Sequence, residues 1–222
     1  MNILAFDTAL GRGGVAVVRD GVCLAQTIEP EPRRLAEQLM PMIERALDMS
    51  GLGYEDIDRI GTTVGPGTFT GLRLGVAAAR GLSLAAGIPV IGVTTLEALA
   101  ETAMQEVEIE EALAVAIDAR RGQVYFQTFL KSATGLVPLS DPCAVDRQAA
   151  PGLAPRARGI AVGSAADVLV ACGQLVQRPD VSAIAPAAIA ELAVTRPLAA
   201  SSVSPLYLRS PDAKLPKPAV RP

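Results

Sequence analysis

Residues 4–18, LAFDTALGRGGVAVV, and residues 115–129, VAIDARRGQVYFQTF, share one layout: an apolar strand ending in Asp, a short polar turn containing Gly, and a second apolar strand. The two aspartates, Asp7 and Asp118, lie 111 residues apart, half of the 222-residue chain. A spacing that long predicts a duplicated lobe rather than a solenoid, whose repeats are about 20–50 residues long. Outward from the first copy, residues 2–7, 13–19 and 22–29 read as three short strands of an antiparallel meander, with Asp20-Gly21 as the hairpin turn. Leu35, Leu39, Met42, Ile43, Ala46 and Leu47 then recur at helical spacing up to a stop at Ser50-Gly51. Pro41 inside that pattern predicts a kink, or a helix that begins nearer Gln38.

A strand over 59–65, a helix over 69–86 and a strand over 90–93 follow, and Thr94 with Glu97 forms a capping box that opens a third helix. The order βββαβαβα predicts an α/β lobe over residues 1–103, a mixed sheet with helices packed on it, of the kind that binds ligands at strand ends. A smaller second lobe is expected over 104–222. In it 165–172 and 186–196 read as helical, 132–155 as loop-rich, and the alanine-rich stretch 183–200 as a weakly packed surface helix. Residues 210–222 carry four prolines and mixed charge, which reads as an extended tail.

Composition narrows the chemistry. The chain is 50% hydrophobic and 19% charged with a formal net charge of −3, as in ordinary globular proteins. It has no histidine, which excludes Ser-His and Cys-His nucleophilic machinery, HExxH zinc sites and imidazole acid–base catalysis. Aromatic content of 3% leaves few stacking platforms for single-stranded nucleic acid, and the basic residues are dispersed except at Arg33-Arg34, Arg120-Arg121 and the tail. No apolar stretch approaches the roughly 18 residues of a membrane helix. The first residues read as a strand rather than a signal peptide, and Cys23, Cys143 and Cys172 are far apart, so a cytoplasmic location is expected.

The most specific string is Gly65-Pro66-Gly67-Thr68-Phe69-Thr70-Gly71-Leu72-Arg73-Leu74-Gly75. It reads as a strand, a tight glycine turn and a helix start capped by Thr68, either a purely structural turn or a cradle for phosphate at the helix N-terminus. No Gly-Lys-Ser/Thr follows, so it is not a Walker A loop. Asp7 and Asp118 could hold a hydrated magnesium ion beneath nucleotide phosphates, or simply cap their turns; Asp7, Thr8, Gly65, Gly67, Thr68 and Asp118 form the candidate nucleotide-phosphate set. Gly71, Gly75 and Ala79 fall four apart on one helix and make a smooth ridge, packed either on the chain's own sheet or on a partner helix.

At GPGTFTGLRLG the sequence resembles the bacterial TsaB family, also called YeaZ, the non-catalytic paralogues of the TsaD subunit in the machinery that makes threonylcarbamoyladenosine next to the tRNA anticodon. The resemblance extends through ILAFDTA at 3–9, EQLMPMIE at 37–44, IPVIGVTTLEALA at 88–100, AIDARRGQVY at 116–125 and PLYLRSPDAK at 205–214. Thr68 stands where the family usually has Ser, Ala9 where Ser is frequent and Leu35 where His is frequent. The resemblance implies a two-lobed fold of the actin-like, sugar-kinase and Hsp70 ATPase type, ribonuclease H-like in each lobe. It implies ATP or ADP with magnesium only at an interface with TsaD. The catalytic relative holds a metal through an His-x-x-x-His pair whose positions here are Thr95 and Leu99, neither able to replace imidazole.

The resemblance further implies a subunit that docks on TsaD, is joined by the ATPase TsaE, forms a homodimer when alone, and reaches tRNA only through the complex. The first two helices then supply the interface, assigned to Leu39, Met42, Ile43, Ala46, Phe69, Gly71, Leu72, Gly75 and Ala79, and Gly75→Arg is expected to break association in a folded monomer. The competing expectation is a stand-alone ATPase or kinase of the same fold, or a metallopeptidase relative.

Overall fold

The computed structural model describes residues 1–104, 108, 111–155, 158–170, 175–177, 181–198 and 203–209. Two sheets carry the fold. In the first, β1 (Asn2–Asp7), β2 (Gly13–Arg19) and β3 (Val22–Glu29) form the antiparallel meander, while β4 (Arg59–Gly65) and β5 (Val90–Thr94) add in parallel, giving the order β3-β2-β1-β4-β5. In the second, β6 (Ala112–Arg120) pairs antiparallel with β7 (Gln123–Ser132) and parallel with β10 (Gly159–Val162). β8 (Gly135–Pro138), β9 (Cys143–Asp146) and β11 (Leu175–Gln177) complete it. Each sheet is built around a strand–Asp–turn–strand hairpin, so the internal echo in the sequence is a duplication of sheets. The fold is the expected α/β architecture of two mixed sheets with helices packed on them.

Strand alternation sorts the side chains into three cores. Leu4, Phe6, Val15 and Val17 face α1 (Leu35–Ser50) and α2 (Phe69–Ala86). Ile3, Ala5, Ala16 and Val18 point the other way, into a shared core with α3 (Thr95–Thr102), α5 (Pro186–Thr195) and Leu113, Val115 and Ile117 of β6. Ala114 and Ala116, on the far face of β6, pack with Leu169 of the single-turn α4 (Asp167–Val170). Because the central strands are covered on both faces, they read as nearly continuous apolar runs.

Local chemistry starts and stops the helices. Thr68 caps α2 by accepting the Gly71 amide at 3.2 Å, and Gly87 ends it in the left-handed conformation. Thr94 and Glu97 make the expected reciprocal box, with bonds of 3.1 and 2.9 Å. α1 begins at Leu35 rather than near Gln38 and runs through Pro41, because Pro41 and Glu37, whose carbonyl loses its helical partner, both lie on the solvent side.

Three expectations are corrected. The segment 132–155 contains β8 and β9 rather than only loop. α5, expected as a weakly packed helix of the second lobe, lies on the first sheet and buries Ala188, Ile189, Ala190 and Ala193. Its small side chains let the helix lie flat, and Arg59 of β4 caps its last turn by donating to the carbonyls of Ala193 and Arg196 at 2.8 Å. The boundary at 103/104 therefore does not partition the sheets' helices, since the chain returns to the first sheet after building the second. Cys23 is exposed and Cys143 half-buried; Cys172 and the expected tail 210–222 lie outside the described residues.

Candidate functional site

The C-terminal ends of β1 and β6 carry the two aspartates, and the structure separates them. Asp7 is 4% exposed. Its Oδ1 accepts the Thr63 hydroxyl at 2.5 Å and the Ala9 amide at 2.9 Å, yet burial pushes the carboxyl up to about 6 against those bonds. It borders a small cavity of about 90 Å³ beside Arg12, Gly13 and Ser182. Asp118 is half-buried and lines a different cleft of about 230 Å³, with Gly67, Thr68, Arg120, Tyr125 and Ser164. Its Oδ1 accepts the Arg120 amide at 2.8 Å, and the Arg120 guanidinium stands 3.6 Å from Oδ2.

Of the six candidate phosphate residues, Gly67, Thr68 and Asp118 share a cavity among the described residues. Thr8 is buried, its hydroxyl donating to the Gly71 carbonyl at 2.7 Å, and Gly65 is covered by the Leu206 carbonyl. The cleft is smaller than the roughly 300 Å³ of a common small-molecule pocket. No group of three or more metal-ligating His, Cys, Asp or Glu side chains occurs among the described residues. Asp7 and Asp118 thus border two different cavities.

The glycine ridge meets the chain's own first turn. A Cβ at Gly71 would overlap the Thr8 carbonyl oxygen, and one at Gly75 would stand 2.6 Å from the Thr8 hydroxyl. The ridge thus lets α2 descend onto the end of β1. Leu39, Met42, Ile43, Ala46, Leu72 and Ala79 are likewise buried within this chain, between the helices and the first sheet. These residues, with Gly71 and Gly75, are corrected from interface to core. The regular apolar spacing that singled them out marks a helix's inward face, whichever surface that face meets. Gly75→Arg would accordingly disrupt the lobe rather than leave a folded monomer.

Phe69 alone of that set is on the surface, 56% exposed. Its ring receives the Arg73 guanidinium at 3.6 Å and neighbours the Tyr207 ring at 5.9 Å. Further along α2, Leu84 is 90% exposed, and Met40 and Met49 are exposed on α1. This outer face was legible as the complement of the buried stripe. Tyr207, 138 positions beyond Phe69, had no local signal. Thr95 and Leu99 are both fully buried in the core shared by the two sheets, and the Thr95 hydroxyl has no hydrogen-bond partner. No helix among the described residues is long and apolar enough to cross a membrane.

Residues 25–155 match the family described as TsaD, tRNA N6-adenosine threonylcarbamoyltransferase. The Escherichia coli tRNA threonylcarbamoyladenosine biosynthesis protein TsaB is 40% identical over 136 residues, covering 61% of this chain and 58% of that protein. The chain thus spans little more than half the length of the curated TsaB relatives it matches. An uncharacterized Mycobacterium tuberculosis protein is 34% identical over 215 residues, covering 96% of this chain and 94% of its own. Among solved structures, YeaZ from Pseudomonas aeruginosa superposes with a TM-score of 0.77 at 27% identity, covering 93% of this chain and 99% of that one. By kinship over most of its length and by the arrangement of its two sheets, the chain belongs to the TsaD family and, within it, to the TsaB (YeaZ) group.

Proposed function

We propose that this chain is a non-catalytic subunit of tRNA threonylcarbamoyladenosine biosynthesis that binds and activates a TsaD-type transferase. The observation that carries the reading is the burial of Thr95 and Leu99, the positions that the resemblance aligns with the transferase's metal-binding histidine pair: both are fully buried, and neither side chain offers an imidazole nitrogen. Docking uses the outer face of α2 with its neighbour α1, through Phe69, Arg73, Leu84, Met40 and Met49. Burying an exposed Leu or Phe side chain stabilises an association by about 1.5–3 kcal/mol. In this reading the same face forms a homodimer when the chain is alone, TsaE joins the assembly, and tRNA is met only through the complex, in the cytoplasm. Any ATP or ADP with magnesium is completed by the partner, with Gly67, Thr68 and Asp118 as this chain's wall.

The test is association with the cognate TsaD by sedimentation, with threonylcarbamoyl transfer reconstituted from TsaD, TsaE and tRNA. Phe69→Glu with Leu84→Glu should weaken association at least about tenfold and lower transfer, while the thermal midpoint of the isolated chain stays within a few degrees. Magnesium-dependent ATP hydrolysis by the chain alone, abolished by Asp118→Ala, would overturn the reading in favour of a stand-alone enzyme.

A further inference from the structure

Residues 203–209 run from the first sheet, where Val203 lies against α2 and Leu206 against β4, to the second, where Arg209 meets β6. The pairing of β4 with β5 is interrupted between Thr63 and Gly65, and the carbonyl of the bulged Val64 accepts the Leu206 amide at 2.6 Å. The pairing of β6 with β7 is interrupted between Asp118 and Arg120, and the carbonyl of the bulged Ala119 accepts Arg209 Nη1 at 3.0 Å. The two anchors thus fall on the skipped residue of each lobe, where the ladder leaves a carbonyl to be satisfied. Gly65, at φ +122°, makes room for the crossing, since a Cβ there would stand 2.5 Å from the Leu206 oxygen.

On both sides of the first anchor the segment grips α2 from outside. Arg80 donates to the Val203 carbonyl at 2.7 Å, Arg73 donates to the Tyr207 hydroxyl at 3.4 Å, and Tyr207 sits beside Phe69. Leu208 packs into the core shared by both sheets. Ala119 and Thr68, on either side of the crossing, line the 230 Å³ cleft.

We propose that residues 203–209 are a latch that makes the outer face of α2 and the cleft between the lobes one conformational unit. Release at either anchor loosens both the α2 N-terminus and the Asp118 turn, and occupancy of one region stabilises the other by the same amount. The latch is a property of the chain alone and stands whether or not α2 docks on a transferase.

Hydrogen–deuterium exchange on the full-length chain tests it, because both regions carry hydrogen-bonded reporter amides: Thr68, Gly71 and Leu72 on one side, Arg120 on the other. Arg209→Ala removes the second-lobe anchor and leaves the Leu206–Val64 bond in place, yet should speed exchange over 68–72 as well as over 118–122, by about threefold to tenfold. Leu206→Pro removes the first-lobe donor and should speed exchange over 118–122 as well as over 64–72. Amides of β1 and β2 should keep their protection in both variants. If Leu206→Pro loosens the whole chain, Arg209→Ala decides by itself. A change confined to each variant's own anchor would overturn the latch; TsaD association retained in Phe69→Glu with Leu84→Glu would instead overturn the docking reading and leave the latch standing.

Discussion

The two strand–Asp–turn–strand hairpins look alike in sequence and live in opposite surroundings. The first is enclosed: α2 lies on its turn, Thr8 is locked to Gly71, and Asp7 is buried with its carboxyl shifted toward neutrality. The second is open: Arg120, Arg121 and Gly122 all take positive φ in an exposed turn, and Asp118 faces the cleft with Arg120 beside it. A repeat in sequence therefore reproduces the backbone device but not the electrostatics. Those are set by what the rest of the chain lays over each copy, here an 18-residue helix on one, and single hydrogen bonds with Arg147, Ser164 and Arg209 around an exposed tip on the other.

The sharpest way to break the contrast is to add the same methyl group to each copy. Gly71→Ala drives a Cβ into the Thr8 carbonyl, and with backbone on both sides neither can yield cheaply. It should cost about 3 kcal/mol, read as a lowered urea midpoint. Gly122→Ala meets open space and suffers only from φ +75°, so its cost should be about 1 kcal/mol. Equal losses would show that α2 does not press on the first turn as described.

Asp7→Asn probes the electrostatic half and should have an intermediate effect. Burial pushes the Asp7 carboxyl from the ordinary 3.8 up to about 6, so the folded state binds the proton more tightly. Its favourable contribution is complete below about 3.8 and disappears as pH rises through about 6. The amide keeps an oxygen for Thr63 and Ala9 and carries no charge, so the variant should gain on the wild type by about 2 kcal/mol between pH 4 and pH 7.5. Asp118→Asn, at a half-exposed position, should change stability by no more than about 0.5 kcal/mol, read as an almost unmoved urea midpoint. A pH-independent difference at Asp7 would mean that water reaches its carboxylate after all.

Much of the first lobe was legible because its signals are local. Asp20-Gly21 forms a hairpin turn with positive φ at both residues, Thr94 and Glu97 cap a helix, and alternating apolar residues make two-faced strands. The second lobe was less legible. β10 and β11 are short strands held by parallel pairing to distant partners, and β8 and β9 sit in a segment rich in turn formers. The candidate interface failed for a different reason. Helical periodicity at Leu39, Met42 and Ala46 identifies the buried side of a helix, and periodicity has no term for whether the burial is within one chain or between two.

By itself, the sequence determined the duplicated hairpins, the capped helices, the absence of imidazole chemistry and the kinship with TsaB, since each rests on residue identity and short-range spacing. Tertiary structure alone decided that the two aspartates face different cavities, that the glycine ridge serves the chain's own first turn, and that Tyr207 and Arg209 return to the lobe junction. Those are contacts across 90 or more residues for the returning segment. Desolvation and close packing depend on which surfaces meet, a quantity that no local pattern carries.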